Sequence, residues 1–114
     1  NIKVNSLIPV AATRMTENLG MPEQVFKQLK PGSVSPAVLF MASEDAPTGI
    51  MLSAGAGVFA KVEISQAAGV GFAGEDINPD KIAEHWGEIS DMSNAKVLFN
   101  GGEHTAAIFS KVKN

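Results

Sequence analysis

The chain has 114 residues, of which 45% are hydrophobic and 18% charged, and its nine basic and twelve acidic residues give a formal net charge of −3. This length and composition are typical of one soluble globular domain able to bury a core, and they exclude a disordered chain. The scattered basic residues and the lack of an apolar run of about 18 residues argue against nucleic-acid and membrane partners. The absence of cysteine excludes disulfides and thiolate chemistry, so a cytoplasmic location is the default expectation.

The first segment predicts a strand. The chain starts at Asn1 without an initiator Met or a leader, so we expect it to be cut from a longer polypeptide. Residues Ile2 to Ile8 alternate and are rich in β-branched side chains, which predicts a mostly buried central strand ending at Pro9. A short helix is predicted from Arg14 to Leu19, because a glycine follows directly.

Two helices and two strands are predicted next. A helix should start at Pro22 and end before Pro31, with Glu23 and Lys27 forming an i,i+4 ion pair. The segment Ser33 to Ala42 is apolar nearly all the way round and predicts a deeply buried helix with serine caps. Core strands are predicted in "IMLSAGAG", over Ile50 to Ala54, and in the alternating stretch "VFAKVEISQ".

The stretch "AAGVGFAGED" contains Gly69, Gly71 and Gly74 in the order G-x-G-x-x-G, which occurs at dinucleotide-binding turns. In such a turn the helix begins within the motif, whereas here Asn78 as N-cap and Pro79 at the first position predict a later start. Two carboxylates, Glu75 and Asp76, would also repel a pyrophosphate. The stretch is therefore interpreted as a flexible connection.

The C-terminal part offers two histidines. His85 lies between Glu84 and Trp86, and His104 follows Glu103. A usual zinc site needs three or four ligands, so no metal site is predicted. We interpret His85 as a residue on the polar face of a helix and His104 as a loop residue. The apolar side of the preceding helix is formed by Ile82, Ala83, Trp86 and Ile89. After it, "KVLFN" predicts a short strand or helix, and "NGGE" a turn.

An ordered series of motifs resembles the short-chain dehydrogenases/reductases. "IKVNSLIPVAATRMT" is similar to the sixth-strand region of that family, where V-N-x-x-x-P leads into a substrate lid. Together with "MPEQVFKQLKPGSVSPAVLFMASED", "GAGVFAKVE" and "NPDKIAEHW", it looks like the (3R)-hydroxyacyl-CoA dehydrogenase region of the peroxisomal multifunctional enzymes type 2 and their bacterial relatives. Here Pro9 is followed by Val10 where the family usually has Gly.

The resemblance implies an α/β fold, namely the C-terminal fragment of a Rossmann-like, doubly wound parallel sheet. It would comprise the sixth and seventh strands with lid and packing helices in residues 1–66, and a helical C-terminal extension in residues 67–114 of the same domain. It also implies a nicotinamide cofactor, NAD or NADP, contacted by the turn after the sixth strand. The implied cofactor-binding residues are Pro9, Val10, Ala11 and Thr13, and the lid would begin with Arg14, Met15 and Thr16.

In the family, the Ser, Tyr and Lys of the catalytic set and the phosphate-binding glycine turn precede the sixth strand. The resemblance thus implies no catalytic residue in this chain, which contains no tyrosine. We expect it to be part of an oxidoreductase acting on a secondary alcohol or ketone, such as a 3-hydroxyacyl thioester, and to be inactive alone. Its implied partners are the remainder of the polypeptide and further copies in a homo-oligomer. The alternatives are a non-catalytic packing or self-association module, and a peroxisomal location.

Overall fold

The structure, a computed structural model, describes residues 2–114, so Asn1 and any statement about the chain start lie outside the described residues. The chain divides into two compact units, one ending at Glu63 and the other running from Ile64 to Asn114. The division into residues 1–66 and 67–114 as parts of one dehydrogenase domain stays a prediction.

The first unit is a small mixed sheet with helices. Its elements are β1 (Ser6–Pro9), α1 (Glu23–Gln28), a 3-10 turn (Pro31–Ser33), α2 (Ser35–Met41), β2 (Met51–Gly55) and β3 (Val58–Val62). The strand order is β1-β2-β3, with β1 parallel to β2 and β3 antiparallel to it. A parallel pair needs a long crossover, and the chain between β1 and β2 contains α1 and α2. The parallel pair of β1 and β2 agrees with the predicted parallel sheet, and the antiparallel β3 makes the observed sheet mixed.

The core of the first unit lies between α2 and one face of the sheet. Val34, Ala37 and Ala54 are buried, and Leu7 and Leu52 pack against them. The predicted deep burial of the whole helix is wrong, because Leu39 is 73% exposed and Val38 and Phe40 are about half exposed. The three-stranded sheet covers only one side of α2, so an apolar residue on the other side has nothing to pack on. The serine caps are also wrong, since no side chain caps α2.

Two predictions for the N-terminal segment need correction. β1 begins at Ser6 rather than at residue 2, and it is an edge strand with mostly exposed residues rather than a buried central one. Ladder pairing with β2 starts only where Met51 lies opposite Ser6, so residues 2–5 have no partner strand within the described part of the chain. The segment Arg14 to Leu19 forms turns instead of a helix, and Gly20 has a left-handed φ of +71°.

The predicted helix after Pro22 and its ion pair are confirmed. α1 spans Glu23–Gln28, and the Lys27 Nζ lies 2.8 Å from the Glu23 Oε1. The chain then turns between β2 and β3 at Ala56 and Gly57, whose φ values of +50° and +77° are those of a tight hairpin turn. The stretch predicted as a single third strand is split, because β3 ends at Val62 and Ser65–Gln66 pairs elsewhere.

The second unit consists of a two-stranded antiparallel ladder and short helices. β4 (Ser65–Gln66) pairs with β5 (Lys96–Val97), and the helices are α3 (Pro79–Glu84), α4 (Trp86–Ile89) and α5 (Gly101–Phe109). The short strand predicted in "KVLFN" is thus confirmed as one of the two options. The turn predicted at "NGGE" is wrong, because Asn100 is the N-cap of α5.

The caps of the second unit explain where its helices begin. The Asn78 Oδ1 accepts a hydrogen bond from the Lys81 N–H at 2.9 Å, which confirms the predicted start of α3. The Asn100 Oδ1 accepts one from the Glu103 N–H at 2.9 Å, and the Glu103 carboxylate accepts one from the Phe99 N–H at 2.8 Å. This reciprocal arrangement is close to a capping box, and "NGGE" therefore starts a helix. No helix of the described residues is long and apolar enough to cross a membrane.

Candidate functional site

The turn that follows β1 lies where the parallel strands β1 and β2 end. The Val10 N–H donates to the Ala54 carbonyl at 2.8 Å, which continues the parallel ladder by one residue. The Ala12 N–H donates to the carbonyl oxygen of Leu29 at 2.6 Å, so the far side of the turn is attached to the end of α1. The carboxyl edge of parallel strands is where ligands bind in open α/β sheets.

Gly55 allows this turn to lie directly against the end of β2. A Cβ atom at Gly55 would lie 2.7 Å from the Val10 carbonyl oxygen and 2.9 Å from the Val10 Cβ. The Val10 and Ala12 N–H groups hold this backbone segment by hydrogen bonds, so the carbonyl oxygen and the directly attached Cβ of Val10 cannot move aside easily. A residue with a side chain at this position would therefore displace the turn.

Thr16 holds the turn in shape. Its half-buried hydroxyl accepts a hydrogen bond from the Thr13 N–H at 2.8 Å. The same oxygen lies 3.0 Å from the carbonyl oxygens of Ala11 and of Thr13, to which its single proton can be donated. One hydroxyl thus fixes both ends of the three-residue segment from Ala11 to Thr13.

The turn leaves a small set of backbone groups free. Within residues 2–114, neither the Ala11 N–H nor the carbonyl oxygens of Val10 and Ala12 have a hydrogen-bond partner. The Thr13 side chain is exposed, and its hydroxyl accepts only a long bond of 3.3 Å from the Met15 N–H. One donor and two acceptors of the turn are therefore unpaired among the described residues, and the Thr13 hydroxyl is exposed.

The structure brings the four sequence-predicted cofactor residues, Pro9, Val10, Ala11 and Thr13, into one continuous turn; their role stays a prediction. Arg14 and Met15 are exposed beyond it, Met15 by 88%, whereas Thr16 points back into the turn. Sequence reasoning missed the roles of Gly55 and Leu29 and grouped Thr16 with the lid. The repeated threonine three residues after Thr13 was the available signal, since such hydroxyls often bond to local backbone.

The glycine-rich stretch packs against the C-terminal segment of the same chain. α3 begins at Pro79 with Asn78 as cap, as predicted, so this α-helix starts after the motif, whose last glycine begins a three-residue 3-10 turn, Gly74–Asp76. A Cβ at Gly71 would overlap the carbonyl oxygen of Lys111, which shows that the C-terminal segment lies directly on this glycine. The backbone here faces a carbonyl oxygen, so Gly71 has a packing role that goes beyond the predicted flexible connection.

Both histidines make structural contacts. The His85 Nδ1 lies 3.0 Å from the Lys81 carbonyl oxygen, and its ring meets the Phe72 ring edge to face, with centroids 5.2 Å apart. The His104 Nδ1 lies 2.8 Å from the Gln66 Oε1, and His104 is part of α5 rather than of the predicted loop. Across the part of the chain that the structure describes, no three His, Asp or Glu residues are grouped to hold a metal.

The shifted pKa values belong to exposed surface groups of the second unit. A hydrogen bond and the charge of Glu84, 2.9 Å away, raise the pKa of Lys81, and the same contact lowers the pKa of Glu84. Hydrogen bonds from Ser93 lower the pKa of Asp91. Ion pairing and local hydrogen bonds account for these shifts.

Comparison with known proteins shows relatives along the whole chain. It is 33% identical over 115 residues to the peroxisomal multifunctional enzyme A of Dictyostelium discoideum, covering 100% of this chain and 25% of that protein. It is 35% identical over 98 residues to a short-chain type dehydrogenase/reductase of Mycobacterium tuberculosis, covering 85% of this chain and 34% of that protein. No model of a protein family matches the chain.

The fold also has a counterpart among solved structures. The full-length peroxisomal multifunctional enzyme type 2 of Drosophila melanogaster superposes with a TM-score of 0.72 at 23% identity, over 96% of this chain and 20% of that one. The chain thus spans between a fifth and about a third of the length of these proteins. The resemblance inferred from its sequence is confirmed: the chain is a relative of the short-chain dehydrogenases/reductases and of the peroxisomal multifunctional enzymes type 2.

Proposed function

We propose that the chain is part of an oxidoreductase that transfers a hydride between a nicotinamide cofactor, NAD or NADP, and a secondary alcohol or ketone, with a 3-hydroxyacyl thioester as substrate. The role of this segment is to hold the nicotinamide end of the cofactor through the turn Pro9 to Thr13. The names of the relatives support the reaction class, and the short-chain dehydrogenase/reductase among them supports the cofactor class.

The observation that carries the proposal is the set of free groups on the turn. A primary carboxamide has one acceptor oxygen and an NH₂ group with two donors. The turn offers the complement, because the Ala11 N–H is a free donor and the carbonyl oxygens of Val10 and Ala12 are free acceptors among the described residues. The exposed Thr13 hydroxyl adds a group that can donate or accept.

The hydride chemistry itself is supplied by the cofactor when it is bound. Oxidation of the alcohol removes a hydride from the carbon and a proton from its hydroxyl, and this proton needs a general base. The chain has no tyrosine, and its two histidines contact Lys81 and Gln66 in the second unit. The resemblance to the short-chain dehydrogenases/reductases implies that the catalytic Ser, Tyr and Lys precede the sixth strand, so proton transfer is proposed for residues outside this chain, which should be inactive alone.

Residues Arg14 to Leu29 are proposed to cover the substrate. They connect the turn after β1 to the end of α1, and Arg14, Met15 and Leu19 are exposed. A segment at this place can exclude water once substrate binds. A peroxisomal location is favoured over the cytoplasm by the name of the Dictyostelium relative.

The test uses the full-length protein that carries this segment, with a 3-hydroxyacyl thioester and NAD or NADP. We expect reduction of the cofactor, and in Thr16→Val a roughly tenfold weaker cofactor Kd, because the hydroxyl accepts a hydrogen bond from the Thr13 N–H and donates its proton to a carbonyl oxygen of the turn. Thr16→Ser should retain most of the affinity. The matched control is Thr105→Val, whose hydroxyl bonds only to the Gly101 carbonyl in α5.

Two results would contradict the proposal. One is the absence of hydride transfer in the full-length protein with either cofactor. The other is an equal cofactor Kd in Thr16→Val and Thr105→Val, which would show that the turn does not contribute to nicotinamide binding. For the 114-residue chain alone we expect no change in NADH fluorescence at micromolar concentrations, and saturable binding there would show that this segment suffices for binding.

A second candidate function is self-association. The observation that favours it is the uncovered apolar side of α2, where Leu39 is 73% exposed and Val38 and Phe40 about half exposed. Such a face in a folded protein marks an interface. We propose that Leu39→Lys shifts the full-length protein to a smaller oligomer in sedimentation velocity, and an unchanged sedimentation coefficient would remove this candidate.

A further inference from the structure

The start of α5 contains a dipeptide that the proposed function does not use, Asn100 followed by Gly101. Glycine has no side chain to shield its nitrogen, so the side-chain amide of a preceding asparagine is open to attack by that nitrogen. Asn100 is exposed, and a Cβ atom at Gly101 would have no neighbour within 4 Å. Solvent therefore reaches this dipeptide, and no neighbouring group crowds it.

The attacking nitrogen of this dipeptide is unpaired. Within residues 2–114 the Gly101 N–H donates no hydrogen bond, because it lies at the first position of α5, where the helix itself supplies no acceptor. The nitrogen is linked to the Asn100 Cγ through the carbonyl carbon, Cα and Cβ of Asn100. A bond between this nitrogen and Cγ therefore closes a succinimide ring within the main chain.

The cap of α5 holds Asn100 in a conformation that does not close this ring. Its ψ of 169° is extended, and ring closure needs a rotation about the bond between Cα and the carbonyl carbon. The Asn100 Oδ1 also accepts from the Glu103 N–H at 2.9 Å, and the Asn100 Nδ2 lies 3.4 Å from the Glu103 Oε1. The reaction therefore waits until these contacts open, and exposed helix ends open at little cost.

We propose that Asn100 is a site of spontaneous deamidation, and that opening of the α5 cap controls its rate. The Gly101 nitrogen loses its proton to solvent hydroxide and bonds to the Asn100 Cγ. The bond between Cγ and Nδ2 then breaks, and the amide nitrogen takes up a proton and leaves as ammonia. Water opens the succinimide at Cγ to give aspartate, or at the main-chain carbonyl carbon to give isoaspartate. This modification is independent of the proposed oxidoreductase activity.

Both products change the start of α5. Each loses the Nδ2 donor and carries a negative charge near the Glu103 carboxylate, which accepts the Phe99 N–H at 2.8 Å. Isoaspartate also lengthens the main chain by a methylene group, so its carboxylate no longer lies where the cap oxygen was. We expect faster hydrogen exchange over residues 101–109 in the deamidated protein, and a larger change for isoaspartate than for aspartate.

Asn78 is a matched internal control. It is also an N-cap, and its Oδ1 accepts from the Lys81 N–H at 2.9 Å, as the Asn100 Oδ1 does from Glu103. The next residue is Pro79, whose nitrogen carries no proton and cannot attack the side chain in this way. The two caps therefore differ in the residue that supplies the nucleophile, so Asn78 should not react.

The test is peptide mapping of the full-length protein after incubation in mildly alkaline buffer, in which the attacking nitrogen loses its proton more readily. Trypsin cuts after lysine and releases residues 62–81 with Asn78, residues 82–96 with Asn94, and residues 97–111 with Asn100. We expect the mass change from amide to carboxyl group in the third peptide, with aspartate and isoaspartate forms separated by chromatography. The first peptide should keep its Asn78 amide, and Asn94, which precedes Ala95, should react more slowly than Asn100.

Two variants separate the chemistry from the cap. Gly101→Ala adds a methyl group beside the attacking nitrogen and has room in α5, so it should slow deamidation roughly tenfold. Glu103→Ala removes the carboxylate that contacts the Phe99 N–H and the Asn100 Nδ2, and it should accelerate deamidation several-fold. Glu88→Ala, in the first turn of α4, is the control and should leave the rate unchanged.

Three results would overturn the proposal. The first is an unmodified Asn100 in the full-length protein over a period in which the synthetic peptide of residues 97–111 deamidates. The second is an equal rate at Asn100 in Gly101→Ala and the wild type, which would exclude attack by the Gly101 nitrogen. The third is an equal rate in Glu103→Ala and Glu88→Ala, which would show that the cap does not control the reaction.

Discussion

The two compact units of this chain are stabilised by different kinds of interaction. All five buried apolar residues of the described chain, Leu29, Val34, Ala37, Ala46 and Ala54, lie in the first unit. Its parallel strands pair residues about 45 positions apart, as Ser6 does with Met51. The second unit has none of these buried residues. Each of the two strands of its ladder is only two residues long.

This difference shows which unit depends on long-range contacts. Burial of apolar surface and parallel pairing bring together residues that are distant in sequence, so the first unit forms only when its parts meet. The second unit depends more on side chains that bond to backbone three residues away, as Asn78 and Asn100 do. Variants in the two units should therefore differ in the size and extent of their effects.

The largest effect is expected from Gly55→Ala. The new Cβ would lie 2.7 Å from the Val10 carbonyl oxygen, so the turn after β1 has to shift. Overpacking of this kind costs about 2 kcal/mol. Hydrogen exchange measured by mass spectrometry on the full-length protein should show reduced protection over residues 6–10 and 51–62. Gly32→Ala is the control, because nothing lies within 4 Å of its Cβ position, and equal exchange in both variants would contradict the assigned role of Gly55.

A smaller effect is expected from Gly71→Ala in the second unit. The Cβ would overlap the Lys111 carbonyl oxygen, but among the described residues this unit has no buried apolar side chain that would hold the two segments together, so they can separate at lower cost. We expect a loss of about 1 kcal/mol, seen as faster exchange over residues 67–73 and 110–114, and an unchanged cofactor Kd. Gly87→Ala, in open space within α4, should instead be neutral or stabilising.

Removal of a helix cap should have an effect of similar or smaller size. Asn78→Ala loses the acceptor for the Lys81 N–H and is expected to destabilise α3 by about 1 kcal/mol. Asn78→Asp keeps an acceptor oxygen at the same place and should restore most of the stability. Hydrogen-exchange rates over residues 79–84 measure the effect of each variant. Equal exchange rates in Asn78→Ala and Asn78→Asp would show that the cap contributes nothing to stability.

The smallest effect is expected from the exposed pair of Lys81 and Glu84. Because the pair lowers the pKa of Glu84 in the folded state, its stabilisation is present above the unfolded pKa near 4.5 and is lost as pH falls through the folded value. Because it raises the pKa of Lys81 above 10.5, the stabilisation is lost again at strongly alkaline pH. Glu84→Gln should slightly increase exchange over α3 at neutral pH, and a difference that persists in about 1 M NaCl would exclude the ion pair as its cause.

Parts of the fold and the site could be predicted from the sequence, and the reasons are local. The start of α3 follows from Asn78 and Pro79, and the pair of Glu23 and Lys27 follows from helical spacing. The resemblance of a short motif predicted a site at Pro9 to Thr13, and the structure places these residues in one turn, while their role stays a proposal. Capping by Asn100 was missed, because the two glycines after it were interpreted only as turn residues.

The sequence by itself determined the family, the helix starts marked by proline and asparagine, and the presence of strands in the first unit, since each depends on residues close together in the chain. Only the tertiary structure decided that β1 is an edge strand, that one side of α2 stays uncovered, and that Gly55 and Gly71 lie against Val10 and Lys111. These features depend on which distant backbone segment arrives at a given surface. Periodicity and composition do not contain that information, because they describe a segment without its neighbours.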